Sequence, residues 1–166
     1  MDVNTAIRTR RSIRRYKKMD MPENVLRDVL EAARLAPSAA NRQAWELIVV
    51  KDPKLRTELV PLCKNQKFVE ECSVFLVAVE DPSQKWSRVD ATIMLDHVTL
   101  EAHEKGLGTC WIGAFDKAKV GELLNVPPTK EVMACMTLGY PDEDPDPRPR
   151  KPAEELFYLD HYGMRQ

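Results

Sequence analysis

Seven basic side chains and no acidic one lie between Arg8 and Lys18: Arg8, Arg10, Arg11, Arg14, Arg15, Lys17 and Lys18. A second pair, Arg148 and Arg150, sits on a proline-rich stretch, Arg148-Pro149-Arg150-Lys151-Pro152. Guanidinium groups fork onto phosphate and carboxylate oxygens in a bidentate way, so both sets suit an anion. With Asp2 counted, residues 1–18 carry +7 − 1 = +6, and the remaining 18 basic and 25 acidic residues carry −7, for a net charge of −1. A positive segment on an acidic body calls for an anionic partner: nucleic acid, anionic lipid or the phosphate of a cofactor. The plain alternative is a solvated basic helix end.

Other chemistries find no support in the spacing. Gly106-Leu107-Gly108 follows a helical pattern rather than a strand and lacks the third glycine of a dinucleotide fingerprint. No GxxxxGK[ST], HExxH or GxSxG pattern occurs. His97 and His103 are six residues apart, about 240° around a helix axis, which is a poor arrangement for one metal. Cys63, Cys72, Cys110 and Cys135 are scattered without a CxxC, so reduced, mostly buried thiols are expected rather than a zinc site or a disulfide framework. No metal site is expected.

The elements that must position the basic residues follow from periodicity and turn residues. The chain has 166 residues, 43% hydrophobic and 31% charged, which suits one domain (1–166) with its own core and excludes global disorder. No apolar run approaches the ~20 residues of a membrane span. The basic N-terminus has no apolar leader core, so the cytoplasm is the expected compartment. Asn4 is placed to cap a short helix through Arg8, and 12–16 reads as an extended connector. Pro22, as the first helical residue, begins a helix with an apolar stripe of Val25, Leu26, Val29, Leu30 and Ala33, ending near Ala36 because Pro37 follows. A polar loop covers 38–43. Strands are expected over 46–51, 74–79, 109–112 and 132–138. Helices are expected over 54–63, 89–105 and 117–124, with Gly106 closing the longest. Val74 to Val79 is apolar throughout, so both faces of that strand should be buried. Residues 142–166 read as an extended C-terminal arm, with a helical turn over 154–158. Without clean βαβ alternation, the class is α+β: a small central mixed sheet flanked by helices.

Four segments, in order, carry more information together than apart: Arg10-Arg11-Ser12-Ile13-Arg14, Pro37-Ser38-Ala39-Ala40-Asn41-Arg42-Gln43-Ala44-Trp45, Gly106-Leu107-Gly108-Thr109-Cys110-Trp111-Ile112-Gly113, and Arg148-Pro149-Arg150-Lys151-Pro152. Together they resemble the nitroreductase family of FMN-dependent oxidoreductases, over residues 4 to about 157. The resemblance implies a nitroreductase-like layered fold and bound FMN, with Arg10, Arg148 and Arg150 on its phosphate. It places Ser12 near the ribityl chain or phosphate, Arg11 against the flavin through backbone groups, and Arg14 beside the N1/O2 edge. A positive charge at that edge raises the two-electron potential. Asn41 and the backbone of Pro37, Ser38 and Ala39 resemble a loop that family members bring from a second subunit. Asn65 and Gln66 fall where the pyrimidine edge is contacted. Trp111, Ile112 and Gly113 match the strand end under the ring, with a backbone N–H near N5.

The resemblance further implies a homodimer with FMN at the interface. Its reaction would be ping-pong hydride transfer from NADH or NADPH through N5 to a nitroaromatic, quinone or similar small acceptor. It gives the basic segment an anion without nucleic acid or membrane. Ala44 and Trp111 stand where family members commonly carry proline, and the chain is short, without the helical insertion over the flavin. Two other readings stay open at this level. One is a flavoprotein fed by ferredoxin or another reductase, or specialised for a different flavin reaction. The other is a non-enzymatic nucleic-acid module, against which stands the absence of interleaved aromatics.

Overall fold

The computed structural model describes residues 1–164. Helix α1, Val3–Thr9, is capped by Asp2, whose carboxylate accepts from the Thr5 N–H at 3.1 Å and the Thr5 hydroxyl at 2.6 Å. Asn4, expected as the cap, is instead the second residue of the helix and accepts from Arg8 Nε at 2.8 Å. Helix α2, Glu23–Arg34, has Pro22 at its N-cap rather than at its first helical position. It stops two residues short of the expected end, with Leu35 as its cap. Strand β1, Trp45–Val50, is followed by α3, Pro53–Leu62, where Asp52 caps by accepting from the Lys54 N–H at 2.8 Å. The expected polar stretch after Cys63 contains a short helix, α4, Phe68–Glu71, too brief for a periodic signal. Strand β2, Val74–Glu80, long helix α5, Ser87–Glu104, strand β3, Gly108–Ile112, helix α6, Lys117–Leu123, and strand β4, Glu131–Gly139, complete the body. From Glu143 to Pro152 neither helix nor strand forms, and α7, Ala153–Leu156, follows. The expected arm, 142–166, also includes Arg165 and Gln166, which lie outside the described residues.

The sheet corrects one expectation. Its order is β1-β2-β4-β3, and every pairing among these strands is antiparallel, so it is not mixed. β2 and β3 do run in the same direction, but α5 carries the chain to the far edge and β4 returns between them. Among the described residues, the one parallel contact is an isolated bridge from Ser12 to Thr109.

Alternation along β2 divides the core. Val74, Leu76 and Ala78 face α2 and α5 with Ala134, Met136 and Leu138. Phe75, Val77 and Val79 face the other way, toward Leu59, Val69, Val120 and Cys135. All seven residues of β2 are buried: the six apolar ones, Val74 to Val79, lie between two helical layers, and Glu80 at the end is paired with Arg88. Val25, Leu26, Val29, Leu30 and Ala33 of α2 and Met94, Leu95, Val98 and Ala102 of α5 pack into the first layer. All four cysteines are buried free thiols.

Two glycines set how the N-terminal segment docks. Gly106, at φ 73°, closes α5: its N–H donates to the His103 carbonyl at 3.0 Å, and the Leu107 N–H to the Ala102 carbonyl at 2.8 Å. Gly108 then lets Ile13 lie directly on β3, where a Cβ would meet Ile13 Cγ1 at 2.5 Å and Cβ at 2.8 Å. The Ile13 N–H donates to the Thr109 carbonyl at 2.9 Å. The Lys17 N–H donates to the Tyr140 carbonyl at 2.9 Å and the Asp142 N–H to the Arg15 carbonyl at 3.0 Å. Buried Tyr16 fastens the segment from within, its hydroxyl 2.7 Å from the Ile13 carbonyl and 2.7 Å from Thr137 Oγ1.

Replacing Gly108 with alanine should therefore lower unfolding stability by about 1–3 kcal/mol, read by urea titration. Burial pushes the Tyr16 phenol well above its ordinary range and the Cys72 thiol up to about 12. The unfolded chain releases these protons first, at about pH 8.5 for a thiol and 10 for a phenol. Stability should be intact below about pH 8.5 and fall as pH rises beyond it, more steeply past 10. Thermal melts across pH 7–11 check this, and Tyr16→Phe should flatten the upper part of the profile.

Candidate functional site

Docking of residues 12–17 against β3 and the chain after β4 brings the two arginine sets to one place. A cleft of about 760 Å³ is lined by Arg8, Arg10, Arg11, Ser12 and Arg14 from the N-terminal side and by Arg148 and Arg150 from the C-terminal side, with Asn4, Ile7, Pro145, Asp146 and Pro147. Six of the twelve lining residues are arginines and one is acidic, so the cleft is strongly positive.

The hydrogen bonds inside the cleft are incomplete. Arg11 Nη1 donates to the carbonyls of Arg8 at 2.9 Å and Arg10 at 2.8 Å, folding that guanidinium against the backbone. Arg150 Nη1 reaches the Arg148 carbonyl at 3.3 Å. The Arg14 N–H is held by the Glu143 carboxylate. Arg10 Nε and Arg11 Nε, however, are buried and have no hydrogen-bond partner. A charged donor buried without an acceptor is costly, and an anion in the cleft removes that cost.

Behind the same two arginines lies a smaller cavity of about 270 Å³, lined in part by Thr9, Thr99, His103, Leu107 and Glu143. His103 Nε2 is 2.7 Å from Thr9 Oγ1. Burial, then the positive charges of Arg10 and Arg11, hold the His103 imidazole below its ordinary pKa. Neither His103 nor Asp146 was expected at the site, because no local spacing links either of them to Arg10. Arg8 was visible in the basic run but stood outside the matched motif.

The remaining expected site residues form two other groups. Gln66 Nε2 donates to the Cys63 carbonyl at 2.8 Å and the Ala114 carbonyl at 3.3 Å, which ties Asn65 and Gln66 to the turn after Gly113. Asn65 is exposed at φ 57°. The Trp111 side chain is half-exposed, and its indole N–H donates to Thr99 Oγ1 at 3.1 Å. The Thr109 carbonyl faces away from β4 toward Ile13, so ladder alternation turns the Trp111 N–H and C=O toward the same free edge. The Ile112 side chain is buried, and by the same alternation its N–H and C=O face β4. Gly113 is exposed, with open space where a side chain would start.

The third group is the 37–43 loop. Pro37 and Asn41 are exposed, Ser38 and Ala39 half-buried, and none of the four lines the arginine cleft. The Ala39 N–H donates to the Asp90 carboxylate at 3.0 Å, which holds this loop to the start of α5. Among the described residues no group of three or more His, Cys, Asp or Glu is placed to hold a metal. No described helix is long and apolar enough to cross a membrane.

These features define an α+β protein with a positively charged cleft lined by residues near both ends of its chain. The sequence profile of the nitroreductase family matches residues 7–79 and 62–140, and the chain belongs to that family. It is 32% identical to a NADH dehydrogenase of Thermus thermophilus over 194 aligned positions, covering 94% of this chain and 95% of that one. Its fold superposes on nitroreductase A from Vibrio parahaemolyticus with a TM-score of 0.92 at 28% identity, covering 98% of this chain and 77% of that one. The NADPH:FMN oxidoreductase of Vibrio harveyi, solved with NAD+, gives 0.91 at 28% identity, covering 98% and 79%.

An anion seated on Arg10 and Arg11 should offset their field at His103. The imidazole should titrate below about 6.5 in the free protein and shift upward on addition of inorganic pyrophosphate, read by NMR of the ring protons.

Proposed function

We propose that this chain is an FMN-dependent oxidoreductase that moves electrons from NADH or NADPH to a small acceptor such as a nitroaromatic or a quinone. The observation that carries this reading is the meeting of Arg10, Arg11, Arg148 and Arg150 around one cleft in which two buried guanidinium N–H groups lack an acceptor. The residues fit the cofactor: Arg10, Arg148 and Arg150 would hold its phosphate and Ser12 its ribityl or phosphate oxygens. When bound, FMN supplies hydride acceptance and release at N5. Arg14, at the rim, favours negative charge on the pyrimidine side, and the free backbone edge at Trp111 to Gly113 offers an N–H donor. Donor and acceptor would take turns at one site, giving ping-pong kinetics. No dedicated acid is required for this exchange; water or a polar side chain over the ring would supply the protons.

The proposal includes a homodimer with a site at each end of the interface. Asn41 and its loop stay outside the arginine cleft of their own chain, which supports their serving the partner. The tail leaves Leu156, Phe157, Leu159, Tyr162 and Met164 exposed, a run of large apolar groups that asks for a cover. The accessible surface, 10,370 Å², also exceeds the roughly 8,400 Å² usual for a monomer of this mass.

After reconstitution and gel filtration, the protein should be yellow, carry about one FMN per chain and elute as a dimer. Each of Arg148→Gln and Arg150→Gln should weaken FMN binding roughly 10- to 100-fold, as loss of a charge-assisted hydrogen bond predicts, measured by flavin fluorescence. A colourless protein that refuses FMN overturns the reading. FMN bound but not reduced by NADH or NADPH would instead assign a protein electron donor.

A further inference from the structure

The loop after α2 holds a backbone that its residue types disfavour. Ala40, Asn41 and Gln43 have φ of 49°, 54° and 52°, in the left-handed region where a Cβ is crowded. Bonds within the loop do not fix it to the body. The Gln43 N–H donates to Ser38 Oγ at 3.1 Å, and Gln43 Nε2 donates to the Asn41 carbonyl and Oδ1 at 3.2 Å each, all at exposed positions.

The anchor is Asp90. Its carboxylate is 3% exposed and accepts from the Ala39 N–H at 3.0 Å. Among the described residues this is the side chain's one hydrogen bond. The helix has no need of it, because the Asp90 N–H already donates to the Trp86 carbonyl at 2.9 Å. The first turn of α5 makes a buried negative charge tolerable there through the helix dipole. A buried carboxylate facing one loop amide is costly unless that amide stays in place, so carboxylate and loop order each other.

We propose that Asp90 is a positioning residue: it holds the 38–43 loop in its left-handed form so that Asn41 is presented to the flavin of the partner subunit. This rests on the reading of the loop given under Proposed function. The cofactor site of one chain then depends on a buried carboxylate of the other, remote from the arginine cleft.

The test compares Asp90→Leu, which fills the space without an acceptor, with Asp90→Asn, which keeps a side-chain oxygen. In Asp90→Leu, FMN affinity should fall and tryptic cleavage at exposed Arg42 should accelerate, each roughly tenfold, the scale of one lost hydrogen bond. Asp90→Asn should stay within about threefold of wild type on both. Inorganic pyrophosphate binding to the arginine cleft should be unchanged in both variants. Ala39→Pro removes the same hydrogen bond from the loop side, where the preceding Ser38 is extended as a residue before proline must be. It should reproduce the loss and stands in if Asp90→Leu does not fold. Wild-type FMN affinity in Asp90→Leu and Ala39→Pro overturns the positioning role, whether or not Arg42 becomes more accessible. A wild-type protein that refuses FMN overturns the underlying reading instead.

Discussion

The structure depends on the seating of Ser12 to Lys17 between the edge of β3 and the chain leaving β4. Three backbone hydrogen bonds and the buried Tyr16 hydroxyl hold it, and Gly108 supplies the space for Ile13. Without that contact the basic N-terminal run would be a solvated tail, far in sequence from Arg148 and Arg150. With it, the two ends of the chain close one cleft. Folding energy from the core is thereby used to hold several like charges together, an arrangement that electrostatics alone would oppose.

The protein moderates that repulsion only in part. Glu143 holds the Arg14 N–H, Asp142 lies 3.9 Å from Arg15, and Asp146 lines the cleft. Two buried guanidinium N–H groups still lack partners among the described residues, and burial, with the same field added, lowers the pKa of His103. Under the proposed function, such a site would be organised for an anion before the anion arrives. Preorganised donors make binding more favourable, because little ordering is left to do on association.

The helical layers do different work on the two sides of the sheet. α2 and α5 cover one face and carry, at their ends, the 37–43 loop and the Asp90 carboxylate that restrains it. α3, α4 and α6 cover the other face and set Gln66 against Ala114, which shapes the turn beyond Trp111. Of the three groups of expected site residues, the arginine group alone lines the cleft; the group around Gln66 and Trp111 and the 37–43 loop both stay apart from it within their own chain. The loop is the one of these held to the start of α5 rather than beside β3, and that placement supports proposing a shared site in a two-fold assembly.

Much of this was legible in the sequence, because its signals are local. The apolar stripe of α2, the continuous apolar run of β2 and the Gly106 stop after α5 each follow from periodicity or backbone sterics within a few residues. Matching of four ordered motifs identified the family. What stayed hidden was set by contacts between distant residues. Asp2 rather than Asn4 caps α1 because cap choice turns on a shift of one or two positions that propensity does not resolve. α4 is too short to show a period. The sheet is antiparallel rather than mixed because α5 spans to the far edge, a choice made by packing and not by strand sequence. The sequence by itself determined the elements, the family and the arginines able to hold an anion. Only the tertiary structure decided that Arg10 and Arg150 share a cleft, that His103 lies behind it and that Asp90 restrains the loop, because each of these is a long-range contact made when the core closes.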